Sequence, residues 1–243
     1  MSSVFHRVRV PGDRVRGLTD AAPAAPRILK AAMSPPLTTV RRIVQLMIGL
    51  FLFGIGIALM VRSELGVAPW DVLTQGIMLQ TGIPFGTVTI ILSVIVLLAW
   101  IPIRQKLGIG TVLNTLLVGP AADFGLWAFH TPESLIGRIT LLIFGIVIIG
   151  FATGLYIGAR YGPGPRDGLM TGLHRVTGKP IWVVRTAIEI VVLAIGWMLG
   201  GTFGVGTIAF ALFIGPIAGF FMPVLLVPAA VKEPEPEEPE PAL

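Results

Sequence analysis

The chain contains two copies of one unit. Residues 42–124 align without a gap onto residues 138–220 at a constant offset of 96, with 25 identities in 83 aligned pairs. The identities favour glycine, proline and aspartate over the aliphatic residues that any two apolar stretches share. They include Gly66, Pro69, Asp71, Gly82, Gly119 and Pro120, which match Gly162, Pro165, Asp167, Gly178, Gly215 and Pro216. An internal duplication in so apolar a chain restricts the possible architecture more than any local motif does.

The composition predicts an integral membrane protein. Hydrophobic residues make up 54% of the chain and charged residues 13%, whereas soluble domains carry about 25% charged residues. Apolar segments long enough to span a bilayer lie at about 42–62, 84–103, 107–129, 138–158, 180–199 and 203–227. The net charge of +5 does not indicate nucleic-acid binding, because basic residues in such a chain set its orientation in the membrane. The expected partners are the lipid bilayer and a small molecule. Whether copies of the chain form a homo-oligomer is left open.

Four regions follow from this pattern. We expect a disordered basic tail over 1–40, membrane repeats over 41–130 and 131–229, and an acidic Pro/Glu tail over 230–243. The loop charges place both termini in the cytoplasm by the positive-inside rule. The five tryptophans fall near predicted span ends, where the ring prefers the interface: Trp70, Trp100, Trp127, Trp182 and Trp197.

Three spans per copy is an odd number, so the second copy must enter the membrane from the opposite side. The predicted fold class is therefore an all-α membrane protein of six transmembrane helices in two inverted three-helix repeats. Each repeat carries a short broken or re-entrant helix after its first span.

The short helices are predicted from Pro69-Trp70-Asp71 and Pro165-Arg166-Asp167. Proline suits the first turn of a helix, and a carboxylate there caps the free amides, while Gly82 and Gly178 are typical helix ends. Two interpretations are open: the helices lie flat at the interface, or they dip inward from opposite sides and line a shared site.

Gly119-Pro120 and Gly215-Pro216 lie at matching depths in the third span of each copy. Glycine–proline interruptions at corresponding positions of two halves indicate a transporter's site, and we predict helix breaks there. The alternative is that kinked helices simply pack well. Small residues at four-residue spacing, Gly150, Gly154 and Gly158 and also Gly54 with Ala58, indicate close helix packing.

Ionisable groups within the spans give a further candidate site. Glu189 lies near the middle of the fifth span, one turn after Arg185, and a charge at such depth is costly unless it is paired or hydrated. The two side chains either form a purely structural ion pair or contact a ligand. Their equivalents in the first copy are Thr89 and Ser93. Asn114 is a weaker candidate for a cavity wall.

No catalytic constellation, metal-ligand spacing or phosphate loop is present in the sequence, so we expect neither an enzyme nor a bound metal or cofactor. The segments Leu65–Leu73 and Gly162–Met170 resemble the signatures of the bacterial YczE-type membrane proteins, the YczE/YyaS/YitT family. The resemblance covers about residues 41–223 and implies a multi-span protein of the bacterial cytoplasmic membrane, often described as a permease. It implies no substrate.

The sequence thus predicts a small-molecule transporter whose site lies between the repeats. The expected substrate-binding residues are Pro69, Asp71, Asn114, Pro165, Arg166, Asp167, Arg185 and Glu189. The alternative is a non-transporting scaffold or regulatory protein that presents a glycine-rich helical face to a partner.

Overall fold

The structure, a computed structural model, describes residues 35–227, with side chains from residue 39. Over that range it consists of eight α-helices without a strand. The helices are α1 (Pro35–Ser63), α2 (Pro69–Thr81), α3 (Phe85–Ile103), α4 (Ile109–Ala128), α5 (Leu135–Gly158), α6 (Pro165–Thr177), α7 (Ile181–Met198) and α8 (Val205–Leu225). The predicted all-α class is confirmed for this range. α1 begins inside the segment expected to be a disordered tail; the rest of that tail and the acidic tail lie outside the described residues.

Six of the helices are long and apolar enough to cross a membrane: α3, α4, α5, α7, α8 and, from Thr39, α1. They coincide with the six predicted spans. α2 and α6 have 13 residues each, about 20 Å at 1.5 Å per residue, and are too short for a hydrocarbon core of about 30 Å.

Both short helices begin and end where the sequence predicted. Each has proline at its start, where the missing N–H leaves no hydrogen bond unmade. They end at Gly82 and Gly178, whose φ angles of 73° and 66° lie in the left-handed region that favours glycine. The two helices start 96 residues apart and end 96 residues apart.

The predicted helix breaks at Gly119-Pro120 and Gly215-Pro216 are wrong. α4 and α8 continue through both prolines. A proline within a helix removes one backbone hydrogen bond, and a transmembrane helix tolerates that loss where local adjustment satisfies the freed carbonyl.

The core of the fold is the pair α1 and α5, which run antiparallel. A Cβ on Gly49 would meet Leu155, and one on Gly56 would meet Ile149, so the contact moves down α5 as it moves up α1. These small residues let the backbones approach closely.

α4 packs parallel to α1, and α8 packs parallel to α5, through equivalent contacts. A Cβ on Gly54 would lie 2.5 Å from the Cβ of Ala121, and one on Gly150 would lie 2.4 Å from the side chain of Ile217. Both residues of the second contact are offset by 96 from those of the first. The glycine-rich faces noted in the sequence are therefore covered within the chain.

The short helices cross between the halves: α2 packs on α7, and α6 packs on α3. Gly168 of α6 lies against Trp100 of α3, while Val72 of α2 lies against Gly196 of α7, the equivalent of Trp100. The larger side chain is therefore on the long helix in one contact and on the short helix in the other. The first turns of α2 and α6 are largely buried, and their last residues are exposed. Both short helices thus start in the protein interior and end at its surface.

Candidate functional site

A cavity of about 150 Å³ lies between the two halves of the chain. Eight of its lining residues come from the first half, and each has its equivalent, offset by 96, in the opposite wall. The pairs are Phe53/Ile149, Ala68/Gly164, Pro69/Pro165, Trp70/Arg166, Thr89/Arg185, Ser93/Glu189, Asn114/Phe210 and Val118/Ile214. Six further lining residues come from the second half: Thr153, Tyr156, Asp167, Met170, Gly215 and Ala218. The cavity is therefore lined mainly by equivalent positions of the two repeats and has additional wall residues from the second half.

The structure brings most of the predicted site residues together at this cavity. Seven of the eight line it: Pro69, Asn114, Pro165, Arg166, Asp167, Arg185 and Glu189. Asp71 lies behind the wall, bonded to Arg166. Of the glycine–proline residues, Gly215 lines the cavity, whereas Pro120 lines a separate apolar groove between α1 and α4. Gly119 and Pro216 line neither.

The N-terminal ends of α2 and α6 meet through an ion pair. The guanidinium of Arg166 donates two hydrogen bonds of 3.1 Å to Oδ1 of Asp71 and lies 5.3 Å from the ring centroid of Trp70. The Asp71 side chain is 3% exposed. Burial raises the pKa of the Asp71 carboxyl above its ordinary value, and the charge of Arg166 and its hydrogen bonds lower it in opposition.

Asp167, the equivalent of Asp71, has a different partner. Its Oδ2 accepts a hydrogen bond from the Tyr156 hydroxyl of α5. A Cβ on Gly164 would lie 3.3 Å from Nδ2 of Asn114, 3.4 Å from Oδ2 of Asp167 and 3.5 Å from the hydroxyl oxygen of Tyr156, so the three polar groups surround one point of the cavity wall. Asn114, Tyr156 and Asp167 thus form one polar cluster in the wall.

The capping role predicted for the two aspartates is not what the structure shows. The cap positions before α2 and α6 are Ala68 and Gly164, which make no side-chain hydrogen bond. Asp71 and Asp167 bond instead to side chains from other elements. Each carboxylate is therefore used in a tertiary contact, and neither caps the free amides of its own helix.

Arg185 and Glu189 form the ion pair that their spacing allows. Nε of Arg185 donates to Oε1 of Glu189 over 2.9 Å, with side-chain exposures of 47% and 22%. Their equivalents Thr89 and Ser93 are buried in the opposite wall. One wall is consequently charged at these positions and the other carries only hydroxyl groups.

The two halves differ in how their third and fourth helices meet. α3 packs tightly on α4, where a Cβ on Gly119 would lie 2.4 Å from the carbonyl oxygen of Gly86. The backbone N–H of Gly86 also donates to Oδ1 of Asp123 over 2.7 Å.

α7 and α8 are not packed closely together. Trp182, the equivalent of Gly86, is 68% exposed, and a Cβ on Gly215 or Gly219 would meet nothing within 4 Å. The gap between α7 and α8 lies next to Gly215 in the cavity wall.

Several lining residues were not predicted from the sequence. Trp70, Thr89, Ser93 and Phe210 could have been found as the offset-96 equivalents of candidates already chosen. Tyr156 has an apolar equivalent, Met60, and only its hydroxyl in an apolar span marks it. Within residues 35–227 there is no group of three or more His, Asp or Glu side chains that could hold a metal ion.

Comparisons with known proteins agree with this architecture. A family model described as "Family of unknown function (DUF6198)" matches residues 40–223. An "Uncharacterized protein" of Haemophilus influenzae is 38% identical over 200 residues, covering 82% of this chain and 92% of the relative. The "Uncharacterized membrane protein YczE" of Bacillus subtilis is 32% identical over 177 residues, covering 72% and 82%.

A third relative is the "Uncharacterized protein YyaS" of Bacillus subtilis, 27% identical over 184 residues, covering 73% of this chain and 90% of the relative. No solved structure matches the chain. The resemblance inferred from the Gly-Pro-Asp segments is confirmed, and the chain is a multi-pass membrane protein.

Proposed function

This chain belongs to the DUF6198 family, and we propose that it is a transporter that moves a small polar molecule through the cavity between two inverted repeats. The observation that carries the proposal is the cavity wall itself. Eight residues of one half and their eight equivalents of the other face the same space. Binding sites at the interface between repeats are characteristic of secondary transporters. Transport, not catalysis, is the activity proposed.

The packing of the long helices supports the inverted arrangement. α1 and α5 are equivalent helices and run antiparallel, and each has its fourth helix parallel to it in equivalent contacts. With three spanning helices per half and a short helix that returns to its own side, equivalent helices point in opposite directions across the bilayer. The repeats are then related by an axis in the membrane plane.

The short helices suit a transport site. Their first turns lie in the interior and line the cavity, so the inward-dipping interpretation is the one we adopt. Backbone that ends at such depth requires cover from protein or water, and the cavity supplies it. An engineered apolar cavity of about 150 Å³ holds benzene, which sets the size of a ligand that fits here without movement.

The unequal helix contacts correspond to one state of an alternating-access cycle. The Gly86 end of the α3–α4 pair is closed, and the equivalent end of the α7–α8 pair is open. The positive-inside rule places α7 with its start at the cytoplasmic side of a bacterial cytoplasmic membrane and both termini in the cytoplasm. The state is therefore open to the cytoplasm and closed to the outside.

The scaffold alternative loses its expected docking face. The small residues that would have contacted a partner, Gly54 and Gly150 among them, pack on α4 and α8 of the same chain.

Topology can be tested with one matched pair of variants, because the chain contains no cysteine. Ile83 and Lys179 are equivalent positions after α2 and α6. Ile83→Cys and Lys179→Cys should react with a membrane-impermeant thiol reagent from opposite sides of oriented vesicles, Lys179→Cys from the cytoplasmic side. Labelling of both from one side would overturn the inverted arrangement.

The aqueous path can be tested at Ser93, which lines the cavity. Ser93→Cys should react from the side that labels Lys179→Cys and stay protected from the other. The matched control is Thr74→Cys, a fully buried position outside the cavity, which should not react. If Ser93→Cys is protected from both sides, the cavity has no path and the scaffold alternative is favoured. Uptake by vesicles screened against metabolite pools then identifies the substrate.

A further inference from the structure

The charged groups around the cavity do not balance. Asp71 is paired with Arg166 and Glu189 with Arg185, each within 3.1 Å. Asp167 accepts only the hydroxyl of Tyr156, and among the described residues no Lys, Arg or His forms an ion pair with it. The lining residues and Asp71 therefore sum to one uncompensated negative charge, located at Asp167.

Asp167 is half-buried and lines the cavity, so its unpaired carboxylate is only partly hydrated. Taking a charge out of water without a counter-charge is unfavourable in a protein interior or a bilayer. The N-terminal end of α6 carries the equivalent of about half a positive charge, which compensates only part of it. A monovalent cation beside the carboxylate would complete the compensation.

The rest of the cavity wall is suited to an organic cation. Phe53, Trp70, Tyr156 and Phe210 line it, and aromatic rings attract ammonium groups through the negative face of the ring. Ser93 also lines the cavity. It is 8% exposed, and within the described residues its hydroxyl makes no hydrogen bond, so its oxygen is free to accept one from an N–H donor.

We infer that the cavity binds a small monovalent organic amine, with Asp167 as its counter-charge and the aromatic side chains against its alkyl part. The inference rests on the proposed function, since it names the substrate class of the same cavity. Neither the remaining N–H groups of Arg185 nor those of Arg166 are the primary anchor, because each guanidinium already faces a carboxylate.

The test is a thermal-unfolding titration of the purified full-length chain in detergent with four probes of similar size: butylammonium, butan-1-ol, butanoate and glycine. A ligand that binds the native state stabilises it by RT ln(1 + [L]/Kd), so the melting temperature rises with the logarithm of ligand concentration above Kd. Butylammonium should raise it, and the alcohol and the carboxylate should not. Stronger stabilisation by butanoate or glycine, or none by butylammonium, would overturn the inference.

Asp167→Asn, which keeps the shape of the side chain, should weaken butylammonium binding at least about tenfold, since a hydrogen bond to a charged group is worth about 1.5–3 kcal/mol. The matched control is Glu133→Gln, an exposed carboxylate in the α4–α5 loop, which should bind as the unmodified chain does. Equal binding by Asp167→Asn would refute the role of Asp167. Thiol labelling reports the aqueous path without any ligand, so failure of amine binding and failure of the transport proposal are distinguishable.

Discussion

Loss of the Arg166 guanidinium should destabilise the protein far more than loss of an exposed ion-pair partner. The Asp71 side chain is 3% exposed and that of Arg166 is 23% exposed. Arg166→Gln leaves the buried carboxylate without its counter-charge, and breaking a buried pair in this way typically costs about 3–5 kcal/mol. Asp71→Asn should cost less, because the guanidinium that remains has more access to water.

The matched control is the pair between Arg138 and Glu64, which joins N and O atoms over 3.0 Å but has side chains 32% and 52% exposed. Exposed pairs contribute about 0–1 kcal/mol, so Arg138→Gln should shift stability by no more than that. The double variant Asp71→Asn/Arg166→Gln should recover much of the loss of Arg166→Gln, because no buried charge is left unpaired.

The measurement is equilibrium unfolding of the variants in one detergent, followed by circular dichroism. The pH dependence gives a second readout. Burial raises the pKa of Asp71 and Arg166 opposes the rise, so the variant without Arg166 has a carboxyl whose folded pKa lies above its unfolded value. The folded state then binds the proton more tightly, and Arg166→Gln should regain stability as the pH falls through that pKa. If Arg166→Gln costs no more than Arg138→Gln at every pH tested, the assignment of a buried, paired Asp71 is refuted.

Three further predictions concern the cavity and the helices around it. Gly119→Ala should destabilise the protein by about 1–3 kcal/mol, since its Cβ meets a backbone carbonyl. The equivalent Gly215→Ala lies in open space within a helix and should be neutral or stabilise by up to about 1 kcal/mol; equal effects in thermal unfolding would contradict the difference between the α3–α4 and α7–α8 contacts. Glu189→Gln removes the ion-pair partner of Arg185 and should reduce uptake or alter its pH dependence in vesicles, and unchanged uptake at normal expression would remove Glu189 from the mechanism. Gly82→Ala should cost about 1 kcal/mol although nothing surrounds the glycine, because its φ of 73° strains an L-residue; chemical denaturation with no loss would show that the helix ends differently.

The secondary structure of this chain could be predicted closely. The spans follow from apolar length, and the bounds of α2 and α6 follow from proline and glycine, because these residues act through their own backbone chemistry. The duplication is visible in sequence for the same reason: glycine and proline positions tolerate few replacements. The charged members of the cavity wall were also found, since an ionisable residue within an apolar span is rare and costly.

The partners of these residues could not be predicted. Pro69-Trp70-Asp71 and Pro165-Arg166-Asp167 are the same local pattern, yet Asp71 pairs with an arginine and Asp167 with a tyrosine. The difference arises because the residues that face them come from other elements. Trp70 and Trp100 show the same limit: the sequence places both near span ends, and only the structure shows that both are buried against other helices.

Apolar length and the positions of glycine and proline are therefore enough to predict the helices, the duplication and the membrane environment, all of which depend on local backbone preference and transfer of side chains out of water. Only the folded chain shows where the two halves meet, which carboxylate lacks a positive charge, and which pair of helices stays apart. Those features depend on distances between residues far apart in the chain, and a few ångströms there separate a paired charge from an unpaired one.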